Sequence, residues 1–286
     1  MQQFIVLPKI VAQHINVVQN SMFVSPHSMS AVALFLHAMA RKTETEQDGF
    51  AFIQHDAYMD ADTYEEFGRE IVAPHQKKGG TFFDDADYSS HSPGQPVVSL
   101  QPTVSANIEF SLILRYTGTT PDLGIIETFL RDGKFQGGRI TSYGKPRLIS
   151  DSSRIRNSIR TGYFLVDRRE LLVNSTNKIK DMLTMLLQDK NRLKDFSILQ
   201  QEDPTEDSKN YRQELSTSTV GYAFLSDLRD SLNFRQADTG PIQAGLAESL
   251  VGLVSLVSVH DNRLKEVPFW VRSTVNDDVF LLTGEM

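Results

Sequence analysis

The order of apolar runs along the chain predicts an α+β fold, on three observations. Residues 104–116 alternate apolar and polar side chains, the mark of a half-buried strand. Ser25-Pro26 opens an amphipathic helix, with a good N-cap followed by a proline whose missing N–H is harmless at the first helical position. A second helix, opened by Pro121-Asp122, runs into the glycine-rich stretch 133–138, and a further apolar run follows at 162–166. The resulting order is strand, helix, strand region, long strand, helix, loop, strand. It fits a ferredoxin-like, RNA-recognition-motif-like unit. An ordinary α+β sandwich with no nucleic-acid role is the alternative. The whole expectation is this domain over 1–168, carrying an acidic insertion at 44–102, then a mixed, largely helical C-terminal lobe over 169–286.

Gln3 to Val11 is an apolar run around Pro8 and reads as the first strand. Residues 12–24, with Asn16, Asn20 and Ser21, read as a connector. In the first helix Met29, Val32, Ala33, Leu36 and Met39/Ala40 recur at helical spacing, and Arg41-Lys42 suit the negative end of the helix dipole. From Glu44 to Tyr88 there are twelve acids against three bases. Gly49 to Ile53 can form a short strand there. Residues 75–102 hold Gly79-Gly80, Pro93-Gly94, Pro96 and Pro102, so they read as loop or insertion. The second helix has its apolar positions at Leu123, Ile126, Phe129 and Leu130. Beyond Arg168, Ile179, Met182, Leu183, Leu186 and Leu187 give one apolar helix face, and Pro241 begins a strongly apolar helix through Val257. Val220 to Leu225, Phe269 to Val271 and Val279 to Leu282 read as strands.

Charge is unevenly spread. The 286-residue chain carries a net −7, yet residues 131–170 hold ten Lys/Arg against four acids. A positive island in an acidic chain implies that one surface meets a polyanion. Within it, the glycines at 133, 137 and 138 let the backbone turn tightly and approach a ligand. Lys134 and Arg139 flank them, and Phe135 and Tyr143 offer flat faces for bases. The spacing matches neither a P-loop nor a dinucleotide fingerprint. Plain turn chemistry and an anion site therefore both stand.

With no cysteine, the chain has no disulfide, thiolate zinc site or cysteine nucleophile, which fits a reducing compartment. Its seven histidines are scattered and form no metal-ligand pair, so neither metal nor cofactor is expected. No apolar run is long enough to span a membrane and the N-terminus is unlike a secretory signal, so the expected location is the cytoplasm.

Several segments in fixed order resemble one family. These are Leu7-Pro8-Lys9, Ser25-Pro26, Phe35 to Arg41, Phe110 to Leu114, Phe135 to Ile140, Gly162 to Leu172, Val220-Gly221-Tyr222, Ser249 to Leu253 and Phe269 to Thr274. Together they resemble the crRNA 5′-handle-binding subunit, of the Cas-five type, in type I-F CRISPR surveillance (Csy) complexes. The resemblance implies a non-catalytic, RNA-binding subunit that caps the 5′ end of the guide. It would pair with a large subunit and a backbone subunit, and lie beside the protospacer-adjacent motif of double-stranded target DNA. The chain departs from the pattern in its acidic 44–102 segment and a trimmed C-terminal lobe, and both bear on partner contacts.

The RNA-binding candidates are Lys134, Gln136, Gly137, Gly138 and Arg139 in the loop. Lys145, Arg147, Arg154, Arg156 and Arg160 are the candidate backbone clamps, and Asn16, Asn20 and Ser21 lie beside the first strand. Two rivals are a metal-independent CRISPR RNA endoribonuclease, with His14, His27 or His37 as its acid/base group, and a scaffold that touches only protein.

Overall fold

In the computed structural model, the described residues are 3–20, 23–66, 69–83, 97–187, 215–236, 240–262, 264–276 and 278–285. Among the candidates, Ser21 lies outside them.

In chain order the first half comprises β1 (Gln3–Asn16), α1 (Met29–Thr43), β2 (Thr45–Met59), β3 (Ala61–Glu66), β4 (Arg69–Pro74), β5 (Gln76–Phe83), β6 (Val97–Gly118), α2 (Leu123–Asp132), β7 (Lys134–Phe135), β8 (Gly138–Ser142) and β9 (Arg147–Ile149). The remainder comprises β10 (Tyr163–Asp167), α3 (Lys178–Leu187), β11 (Leu215–Phe224), β12 (Arg229–Gln236), β13 (Gly240–Ala244), β14 (Ala247–Ser258), β15 (Trp270–Asn276) and β16 (Val279–Gly284).

These elements overturn the ferredoxin-like expectation. Twelve strands join one antiparallel sheet in the order β10-β14-β11-β16-β15-β2-β6-β1-β8-β7, with β5 on β6 and β9 on β1. β10 also pairs with β2, through Tyr163 with Gln54 and Phe164 with Ile53, so six of the strands return on themselves. Closure of this kind relieves the twist that an open sheet of such width accumulates.

The expected C-terminal helix from Pro241 to Val257 is instead β13 and β14. β14 is hydrogen-bonded on both edges, to β10 and β11, and buries Leu253, Val254, Ser255 and Val257. A run of apolar residues buried in a sheet does not alternate, so periodicity alone cannot separate it from a helix; Val251, Val254 and Val257 favour the strand. The expected acidic insertion begins with β2, which lies between β6 and β15 inside the sheet. Its buried run Gly49 to Ile53 contains no acid, whereas the exposed acids cluster on β3 and at the strand ends. The connector expected from residue 12 is still β1. Lys9 and His14, at φ 52° and 55°, form irregularities that break its alternation while its pairing with β6 continues to Asn16.

α1 starts three residues later than expected. Ser28 is the N-cap, its Oγ accepting from Ala31 N at 3.2 Å. Ser25 is engaged elsewhere: its N–H meets Val17 O and its Oγ donates to Thr217 O at 2.8 Å. The expected apolar face is buried as the spacing requires, and with α2 it covers one face of the sheet over Ile5, Leu7, Phe52, Phe110, Leu112 and Leu114. The opposite face is the outer one. Ile155 and Ile159, from the crossing between β9 and β10, plug onto Phe4, Val6, Ile53 and Ile113 there.

Candidate nucleic-acid interface

α2 ends at Gly133, which is extended (φ −79°, ψ 156°) rather than left-handed. The chain then forms a hairpin in which Lys134 pairs with Arg139 and Phe135 with Gly138. Gln136 and Gly137, at φ 49° and 78°, are its two central residues, as a type I′ turn requires. Gly138 is there because β8 lies against β1: a Cβ would stand 2.4 Å from Gln13 O. The glycines thus build a tight hairpin, and their close approach is to β1 of the same chain.

The aromatic candidates are not free to stack on bases. Phe135 is 1 % exposed and packs on Phe110 at 4.6 Å and Phe35 at 5.6 Å. Tyr143 is half-buried and donates its hydroxyl to Glu127 O at 3.0 Å. The alternation of Phe135 with Lys134 places the ring in the core and the cation outside.

The cations share a face. Gln13 pairs with Arg139 and Val6 with Arg147, and directly opposed residues project from the same side of a sheet. Val6 belongs to the outer-face cluster, whereas Ile140, next to Arg139, belongs to the helix-side core. Lys134, Arg139 and Arg147 therefore lie on the outer face. Arg139 and Arg147 stand roughly 20 Å apart along β1 at about 3.3 Å per residue. Lys134, Arg139, Lys145 and Arg147 are exposed and form no ion pair among the described residues. Lys9, exposed on β1 between their two pairing positions, joins the row. Its distance in sequence from the basic island hid it.

The crossing segment alternates in role. Ile155 and Ile159 face inward, while Arg154, Arg156 and Arg160 face away. Arg154 meets Asp151 at 3.6 Å and Arg160 meets Glu109 at 2.9 Å. Arg156 donates to Leu264 O and to Glu266 O. Of the flanking polar candidates, Asn16 Oδ1 accepts from Val18 N at 3.1 Å and Asn20 Oδ1 from Phe23 N at 2.9 Å, so both shape turns. Asn16 also adjoins the hairpin, its N–H donating to Gln136 O at 2.9 Å, and Gln136 Nε2 donates to Asn16 O.

The three candidate histidines are far from equivalent. His27 is 3 % exposed and bonded to Ser25, Ser216 and Gln54; burial lowers its pKa to about 4. His37 is exposed on α1. His14 meets Asp60 at 3.0 Å. Burial pushes the Asp60 carboxyl up, but bonds from Ser105, His14 and Asn107 outweigh this and hold it below its ordinary value. His55 is a further histidine on the outer face, its Nε2 2.6 Å from Ser111 Oγ and its Nδ1 3.0 Å from Thr161 O; burial lowers its pKa. Among the described residues no group of three metal-ligating side chains occurs, and no helix is long and apolar enough to cross a membrane.

No curated protein matches the chain. The family model described as CRISPR-associated protein (Cas_Csy2) matches residues 98–281, more than half of the chain. The match takes in nearly all of β6, the hairpin, the basic crossing segment, and β10, β11, β14 and β15 of the closed part of the sheet. The chain therefore belongs to the CRISPR-associated Cas_Csy2 family and is a Csy-type, type I-F protein.

Proposed function

We propose that this protein is a non-catalytic subunit of a type I-F CRISPR RNA-guided DNA surveillance complex. It binds the 5′ handle of crRNA and helps to position target DNA near the protospacer-adjacent motif, beside a large subunit and a backbone subunit. Family membership supports the first part. The observation that carries RNA binding is the row of exposed cations Lys134, Arg139 and Arg147 on one sheet face, with Lys145 exposed in the loop between β8 and β9, none of them in an ion pair among the described residues. Unpaired cations neutralise phosphates at no cost in broken ion pairs, and each phosphate neutralised releases counterions. The net negative charge of the remaining chain suits a subunit that grips RNA at one place and meets proteins elsewhere.

The test is co-expression with a guide RNA and the candidate partner subunits, comparing the parent with Lys134→Glu/Arg139→Glu. The expected result is loss of RNA from a protein that remains folded. Crosslinks from handle nucleotides to residues 134–147 would support the assignment. Undiminished RNA retention, with those residues facing solvent, would leave a scaffold that touches only protein.

A further inference from the structure

On the outer face, a second feature lies away from the β7–β8 hairpin. A cleft of about 1350 Å³ opens between the crossing segment, the turn after β10, the loop 264–268 and the end of β16. Its floor is apolar, built from Phe4, Phe269 and Trp270. Those rings are at most 7 % exposed, and Phe269 is flanked by Phe4 at 5.8 Å and the Arg115 guanidinium at 4.8 Å. The floor therefore offers no free face for stacking, and the chemistry of the cleft lies in its charged walls.

Most of those charges are matched. Arg115 spends its fork on Glu285, with Asp48 at its Nε. Arg169 meets Asp167 at 3.5 Å, and Arg168 meets Glu170 at 3.3 Å. Arg156 differs. Among the described residues its bonds leave from one terminal nitrogen and end on carbonyls, Leu264 O and Glu266 O, and its charge meets no carboxylate. A guanidinium has five N–H donors, so the remaining terminal nitrogen and Nε keep three. Both forked edges of a guanidinium include Nη2, so these remaining donors meet phosphate oxygens singly, and the two carbonyls hold the side chain in place before any ligand arrives. Lys265, exposed and without an ion pair among the described residues, stands in sequence between the two residues whose carbonyls accept from Arg156. Ser152 adds a hydroxyl on the same wall. Glu266, also in the lining, meets no cation among the described residues.

We propose that this cleft is a phosphate-binding site, in which Arg156 with Lys265 and Ser152 holds a phosphate group carried by a single nucleic-acid strand or by a free nucleotide. The proposal rests on the RNA-binding reading only for the strand as a source of phosphate, and it is separate from the hairpin.

The experiment measures binding of a fluorescent eight-nucleotide single-stranded RNA to the full chain, with AMP and inorganic phosphate as competitors. Four proteins are compared: the parent, Lys265→Glu, Arg156→Gln and Lys134→Glu/Arg139→Glu. Lys265→Glu and Arg156→Gln are each expected to weaken RNA binding about tenfold, the size of one lost charged hydrogen bond. Lys265→Glu should weaken it by the same factor when added to Lys134→Glu/Arg139→Glu, since distant sites act independently. Competition by AMP that disappears in Lys265→Glu identifies a free nucleotide as ligand; competition only by unlabelled strand identifies the strand. Parent-like RNA affinity and AMP competition in Lys265→Glu, which changes an exposed side chain and keeps the fold, would overturn the cleft whatever Arg156→Gln does. Loss in Lys134→Glu/Arg139→Glu alone would keep the hairpin reading and discard this one, and loss in Lys265→Glu alone would do the reverse.

Discussion

The Asn16 N–H donates to the main-chain oxygen of Gln136 at 2.9 Å, fastening the end of β1 to the tip of the β7–β8 hairpin. Gln136 Nε2 returns to Asn16 O, so two residues far apart in the chain form one reciprocal pair. The hairpin that carries Lys134 and Arg139 is thus held at its tip as well as along β8. Its cations are presented from a fixed support, which limits the entropy lost on meeting phosphates.

The glycines in that hairpin do different work, and substitution separates them. Gly137 sits at φ 78° with open space around it, so Gly137→Ala should cost about 1 kcal/mol from backbone strain alone. Gly138→Ala places a methyl 2.4 Å from Gln13 O and 2.8 Å from Ile15 N. Pushing β8 off β1 should cost about 1–3 kcal/mol. Urea denaturation checks the order, with Gly138→Ala the less stable variant.

Phe135→Ala should reduce stability by about 3–5 kcal/mol, the usual cost of emptying a fully buried aromatic site. Its contacts with Phe110 and Phe35 lie in the core between sheet and helices. A ring that stacked on RNA bases would give the opposite pattern, a loss of RNA affinity with unchanged thermal unfolding. Paired melting and RNA-binding measurements on this variant distinguish the two.

RNA affinity should depend steeply on salt. For single strands each phosphate contact contributes about −0.7 to the slope of log K against log salt concentration. Replacing Lys134 and Arg139 with Gln removes two contacts, so the slope should flatten by roughly 1.4. A slope that stays the same while affinity falls would mean that these side chains act other than through phosphate.

Stability should fall on acidification through His27. Burial lowers its folded pKa from 6.5 to about 4, so the unfolded chain takes up the proton first. This contribution is complete above about pH 6.5 and is lost as pH falls toward about 4, at up to about 1.4 kcal/mol per pH unit. In His27→Gln this component of the pH dependence should vanish, at the cost of a lower stability near neutrality. Denaturation between pH 4 and 7 follows both effects.

Some of this was legible in residue order. Helical spacing from Met29 to Ala40 placed the first helix, with its apolar face in the core. Alternation from Val104 to Tyr116 marked a strand, which is part of β6. The charge imbalance over 131–170 located a basic segment, and the family resemblance matched the Csy type found over 98–281. Each of these signals is local or additive, so a single chain displays it.

What only the tertiary structure decided were relations between distant residues. Whether residues 241–257 coil or extend depends on β10 and β11 lying on either side to receive their hydrogen bonds, since an apolar run buried all round has no period to read. Whether an arginine is available depends on what stands across from it. Arg160 and Arg156 read alike in sequence, yet one meets Glu109 and the other two carbonyls brought in from the loop 264–268. Burial and charge compensation are properties of neighbours in space. The chain order lists the charges, and folding determines which of them remain unspent.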